Sequence, residues 1–229
     1  MTISTHNIIG IMGGTFNPIH YGHLRAAQEL SEALNFDEVR FIPAANPPHK
    51  TQPGVSALHR AAMVKLAISD NPKFTLDERE LSRKGASYTY DTLQSLREEL
   101  GHEASICLLM GSDAFIKFNS WHRWAEILQL CHIVLVNRPA DKYSIEQPSP
   151  ILAPELQTLL HSHYSEHHDD VTHSPAGHIT MQEVTALDIS ATAIRAQFIL
   201  GKSPQYLMPN AVLEYIQQHQ LYRISNTST

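Results

Sequence analysis

The stretch Gly13 to Leu24, GGTFNPIHYGHL, directly follows the apolar run Ile8-Ile9-Gly10-Ile11-Met12. An apolar run of that length closed by two glycines reads as a buried strand entering a tight turn. Beyond the turn, Leu24, Ala27, Leu30, Ser31 and Leu34 carry an approximate helical period with Asn35 near the stop, so a helix is expected from about Gly22. Strand, glycine turn and helix start together form an anion site. The glycines let the backbone approach a phosphate, and the first-turn N–H groups point at it. Gly13, Gly14, Thr15 and Phe16 are therefore the candidate phosphate-binding turn. His20 and His23 sit at the helix start with Gly22 between them, where two imidazoles can donate to phosphoryl oxygens as charge develops. Two histidines at this spacing are more often a solvated turn. Their position after GGTFNP, between strand and helix, turns the reading to phosphate chemistry.

Strand and helix signals alternate along most of the chain. Strands are expected at Glu38 to Pro43, Phe74 to Asp77, Ser105 to Met110, His132 to Val136 and Ile179 to Val184. Ser56 caps a helix running to Ser69 with Leu58, Ala62, Leu66 and Ile68 as its apolar side. Further helices are expected at Tyr88 to Leu100, closed by Gly101, at Trp121 to Leu130, near Pro154 to Leu160, and from Ser190 to Leu200. A last one runs from Pro209 to Gln218, with the proline in its first turn. Short strands alternating with helices imply an α/β fold with a mostly parallel sheet covered on both faces. With 229 residues, 42% of them hydrophobic, one such domain can bury a full core. It is expected over residues 1–223, with a polar, histidine-rich segment at 140–178 inside it and a frayed tail at 224–229.

In such sheets ligands bind beyond the carboxyl ends of the strands, so the loops that follow the strands share one crevice. Asp188 to Arg195, DISATAIR, is a second phosphate candidate: Ser190 is a natural N-cap, and Arg195 lies just over one turn on, where its guanidinium can fork onto two phosphoryl oxygens. Its bland alternative is an ordinary capped helix. Lys50, after Pro47-Pro48-His49, puts a cation on a stiffened loop where it can neutralise a triphosphate or leaving pyrophosphate. Gly111-Ser112-Asp113 combines close backbone approach with a carboxylate for ribose hydroxyls or for a position near a metal. Tyr88-Thr89 and Trp121-His122 supply an aromatic face and donors for a planar heterocycle. Trp124 is the rival face, or a core residue.

Net charge is −6, which gives no general attraction to nucleic acid. No basic, apolar leader or long apolar run is evident, so no membrane partner is expected and the protein reads as cytoplasmic. Cys107 and Cys131 lie in or beside apolar runs and read as reduced core residues, with a disulfide left open by sequence alone. Of fifteen histidines, six fall at 161, 163, 167, 168, 173 and 178. They lack a two-ligand helical spacing backed by a distant partner, so this stretch reads as a polar loop rather than a metal site.

GGTFNPIHYGHL, with ISATAIR near the far end, resembles the nucleotidyltransferases of the HxGH superfamily. LDERELSRKGASYTYDTL and the tryptophan after GSD resemble its bacterial nicotinate-nucleotide adenylyltransferase branch. The likeness runs in motif order from about Ile8 to Arg223. It implies a Rossmann-like fold and transfer of AMP from ATP to nicotinate mononucleotide, with Mg2+, giving deamido-NAD and pyrophosphate. It further implies that His20 and His23 stabilise the α-phosphate and bridging oxygen. Ser190, Thr192 and Arg195 would hold phosphates of ATP, Gly111 and Asp113 would lie at the ribose, and Thr89, Trp121 and His122 would form the nicotinate pocket. Asn17, Ala191 and His122 depart from the residues usual at those motif positions, which are aspartate, serine and tyrosine.

The implied chemistry is direct in-line displacement, for which the residue inventory of donors and cations, without a serine–histidine–acid set, is suited. Competing readings are a superfamily member using phosphopantetheine or an alcohol phosphate, an ATP-binding sensor without turnover, and a histidine-rich metal binder. A homo-oligomer is compatible with the sequence.

Overall fold

The computed structural model describes residues 7–47, 54–137 and 152–223. Lys50, the Arg138-Pro139 part of the NRP loop, residues 140–151 of the polar segment and the 224–229 tail lie outside these. The elements run β1 (Ile8–Gly14), α1 (Tyr21–Ala33), β2 (Glu38–Pro43), α2 (Ala57–Ala67), β3 (Phe74–Leu76) and α3 (Thr89–Leu100). The second half comprises β4 (Ser105–Gly111), α4 (Ser112–Phe115), β5 (His132–Asn137), α5 (Pro154–His163), α6 (His168–His173), β6 (Ile179–Glu183), α7 (Ala191–Ile199) and α8 (Asn210–Gln218).

The six strands form one sheet in the order β3-β2-β1-β4-β5-β6, every pairing parallel. This is the Rossmann-like arrangement. The chain builds outward from β1 through β2 to β3, then returns to β1's other edge with β4. Ile11 of β1 is paired with Arg40 on one side and Leu108 on the other. Where the order reverses, the connections after β1 and β4 diverge to opposite faces and leave a crevice beyond their carboxyl ends.

Period-two alternation in the strands feeds two cores. Ile106, Leu108 and Met110 of β4 face one, with Leu93 and Leu96 of α3 and Leu156 and Leu160 of α5. Cys107 and Leu109 face the other, with Leu30 of α1, Met63 and Val64 of α2 and Val212 of α8. Both cysteines are free thiols with no surface exposure. Burial pushes Cys107 up to about 12 and Cys131 higher still, so neither is a nucleophile at neutral pH. At the amino ends of the strands, the buried Arg97 binds the carbonyls of Ala104 (2.6 Å) and Leu130 (2.6 Å) and that of Pro175 (3.0 Å). One side chain thereby ties together three connections. Among the described residues no helix is long and apolar enough to cross a membrane.

Several expectations are corrected. The inward face of α2 is Arg60, Ala61, Met63 and Val64, while Leu58 is 74% exposed. The Trp121–Leu130 helix is reduced to 3-10 turns at Phe118–Ser120 and Trp124–Gln129, separated by Arg123 in the left-handed region. Pro209 caps α8 from outside instead of occupying its first turn. The histidine-rich stretch is not simply a loop: α5 extends to His163, and α6 buries Val171 in the sheet core.

Candidate active site

His20 caps α1 with extended backbone, and its N–H donates to Nδ1 of His23 at 3.3 Å. The two imidazoles lie against each other, 3.8 Å between centroids and tilted by 33°. A ring nitrogen that accepts from an amide carries no proton, which places the proton of a neutral His23 ring on Nε2. A Cβ on Gly22 would meet the His20 ring at 3.0 Å, so a side chain at this third position of the motif would press the His20 ring by a few tenths of an ångström. Phe16, in the expected phosphate-binding turn, has its ring in the core, 3% exposed and edge-on to His23 at 5.3 Å. It supports the histidine from behind.

The start of α7 adjoins this motif, with the carbonyl of Ile189 3.6 Å from the position of a Cβ on Gly22. Ser190 caps α7 by accepting from the N–H of Ala193 at 3.1 Å. Arg195 donates to the Asn17 carbonyl at 2.8 Å and to the Thr192 hydroxyl at 3.2 Å. Tyr222 donates to the Asn17 side-chain oxygen at 2.6 Å. Two helix N-termini, each a partial positive charge, therefore stand side by side next to the β1 turn.

The β1 turn is held from below by Arg60, which is 1% exposed. It binds the carbonyls of Thr15 (2.6 Å) and Ala44 (2.7 Å), fixing the loops after β1 and β2 to one cation. Ser87 continues the tie, its hydroxyl accepting from the N–H groups of Ala45 and Asn46.

Between these loops and α3 opens a cavity of about 510 Å³. Gly13, Gly14, Thr15, Thr89, Gly111, Asp113, Trp121 and His122 all line it. His20, His23, Ser190, Thr192 and Arg195 lie outside that lining, grouped at the paired helix starts beyond Thr15. A Cβ on Gly111 would come within 2.7 Å of the Asp113 carboxylate, so glycine here gives that carboxylate its place. Trp121 lines the cavity whereas Trp124 does not, and Trp124 packs at 6.0 Å on Phe118. His122 stacks on Tyr88.

The sequence reading missed Arg60, Glu80, Ser87 and Thr92. Glu80 and Thr92 line the cavity, and the Thr92 hydroxyl donates to Glu80 at 2.7 Å while receiving Arg83 at 3.0 Å. Burial raises the Glu80 carboxyl above the ordinary carboxylate range, against the hydroxyls of Thr92 and Ser87 and the nearby Arg83. Around them, Asp77 and Arg79 bond each other at 2.8 Å, and Arg40 and Arg79 share Glu99. An arginine within an apolar helix and a glutamate in a turn were the available signals.

Among the described residues, no group of three or more His, Cys, Asp or Glu could hold a metal ion.

The cytidylyltransferase-like family model matches residues 11–197. The chain is 47% identical over 219 residues to a Pseudomonas entomophila protein named "Probable nicotinate-nucleotide adenylyltransferase", covering 95% of this chain and 96% of that one. A protein of the same name from Acidithiobacillus ferrooxidans is 42% identical, with 97% and 99% covered. The fold matches Plasmodium falciparum nicotinic acid mononucleotide adenylyltransferase complexed with NaAD. The TM-score is 0.71 at 18% identity, over 95% of this chain and 98% of that one.

Proposed function

The chain belongs to the cytidylyltransferase-like family and, within it, to the nicotinate-nucleotide adenylyltransferases, and we propose from that premise how its crevice performs the transfer. The enzyme moves AMP from ATP to nicotinate mononucleotide, forming deamido-NAD and pyrophosphate. A 5′-phosphate oxygen of the mononucleotide attacks the α-phosphorus of ATP. As that bond forms, the bond to the bridging oxygen breaks, and pyrophosphate leaves with the electron pair. The attacking phosphate is already an anion near neutral pH, so no general base is required. Catalysis consists of aligning two anions and absorbing charge at phosphorus.

His20 and His23 serve the α-phosphate and bridging oxygen, with the Nε2–H of His23 as donor. Ser190, Thr192 and Arg195 serve the outer phosphates, and Lys50 is assigned to the same charge. Gly13, Gly14 and Thr15 let the nucleotide lie close to β1, with Gly111 and Asp113 at the ribose. Trp121 stacks on the pyridine, and the N–H groups around Thr89 and His122 receive the carboxylate. Mg2+ enters with ATP as part of the substrate and neutralises phosphate charge. The observation that carries this reading is the paired starts of α1 and α7 beside one aromatic-walled cavity. The test is pyrophosphate release with ATP, Mg2+ and a panel of mononucleotides. ATP binding without pyrophosphate would make the chain a sensor, and release with another acceptor only would reassign the pocket.

A further inference from the structure

Glu80 is a buried carboxyl in the wall of the cavity that the transfer itself does not use. It is 7% exposed. Its Oε1 accepts from the Thr92 hydroxyl at 2.7 Å, while Oε2, shielded from solvent, has no hydrogen-bond partner among the described residues. Thr92 lies one helical turn beyond Thr89 on α3, and both line the cavity, so Glu80 stands on the Thr89 side of it. A carboxylate enclosed in that way without partners for one oxygen is disfavoured relative to the neutral acid. A substrate bearing its own carboxylate at Thr89 makes the neutral form still more favourable, because two anions would then share a low-dielectric wall.

We propose that Glu80 is a specificity-determining residue: holding its proton, it keeps the wall free of negative charge and admits the acid, and on losing it the wall disfavours the acid relative to the amide. This rests on the placement of the nicotinate carboxylate near Thr89 proposed above. Burial raises the Glu80 carboxyl, which is consistent with a proton retained in the folded chain. The charged and titratable groups facing it are Arg83 and Asp77 from its own loop and Arg60 from α2. Across the cavity stand His122, Asp113 and Lys117.

The readout is the ratio of kcat/KM for the acid and amide mononucleotides, measured with ATP and Mg2+. Effects on folding, on ATP binding and on phosphoryl transfer are common to both substrates and cancel in this ratio. In the wild type it falls roughly tenfold as pH rises across the range in which the enzyme stays folded, the size of one added charge at the far side of a small cavity. In Glu80→Gln, which keeps the shape and cannot ionise, it stays level. In Thr92→Val, which removes a hydrogen bond that favours the ionised form, the fall moves to higher pH. A level ratio in the wild type, or an undiminished slope in Glu80→Gln, overturns the proposal. An undiminished slope in Glu80→Gln assigns the effect to another group of the cavity lining. Should Glu80→Gln not fold, the direction of the Thr92→Val shift decides, and an unmoved or opposite shift overturns it. Failure of the wild type to release pyrophosphate with either mononucleotide at any pH would instead overturn the proposed function.

Discussion

The imidazole of His122 stacks on the ring of Tyr88, 4.5 Å between centroids and 32° between planes. His122 therefore already has an aromatic partner, and Trp121 is the face in the cavity lining for a substrate heterocycle. Stacking is blind to the substituent on the pyridine. Trp121→Ala is expected to weaken both mononucleotides by about 1 to 3 kcal/mol and to leave their ratio unchanged. The check is kcat/KM for each. At neutral pH the wild type should prefer the acid about 10- to 100-fold, because an amide turns an NH2 toward one of the two donors.

His23→Ala is expected to lower kcat by about 100- to 1000-fold, the usual effect of losing one transition-state donor, with an unchanged unfolding midpoint. Its Nδ1 is occupied by the His20 amide, so the catalytic contribution is concentrated in Nε2. Single-turnover pyrophosphate release measures it. Near-normal turnover in a folded variant would remove His23 from the mechanism.

Arg195→Ala is expected to raise KM for ATP about tenfold, the loss of one charge-assisted contact, while KM for nicotinate mononucleotide changes less than about twofold. Equal changes in both would place the guanidinium elsewhere.

Arg60→Met leaves the carbonyls of Thr15 and Ala44 without their buried donor. A destabilisation of about 3 kcal/mol is expected in urea unfolding, with KM for ATP raised because the β1 turn loses its anchor. Arg60→Lys should recover part of both.

His132 has no surface exposure, and burial lowers it from its ordinary 6.5 to about 4, opposed by the Ser174 carbonyl. Between those values the unfolded chain holds a proton that the folded chain does not. Stability from this residue is therefore complete above pH 6.5, declines as pH falls toward 4, and levels below it. The loss amounts to about 3 kcal/mol. Chemical denaturation at intervals across this range, with His132→Gln as the flatter comparison, is the measurement.

The sheet was legible because each strand is a short apolar run bounded by turn residues, and the β1 turn with α1 because glycines and period share one place. The inward face of α2 was not. Arg60 is buried because three backbone carbonyls wait for it, and periodicity counts it as polar and turns the helix the wrong way. The short turns around Trp121 escaped because Arg123 adopts a left-handed conformation no local signal announces. In the site, residues whose own chemistry meets phosphate or ring could be named. Glu80, Ser87 and Thr92 could not, since their meaning lies in which loop each one touches.

The hydroxyl of Tyr222 rests on Asn17, 205 positions earlier in the chain. During synthesis the strands can pair as soon as β6 has emerged, yet the phosphate end of the crevice is still missing a contact. Contacts of such separation form late, since the intervening chain must first be ordered. A chain ending short of residue 222 would keep the Arg195 contact to the Asn17 carbonyl and lack the Tyr222 contact to its side chain. The β1 turn is thereby closed from its C-terminal side by one of the last contacts of the described fold to form.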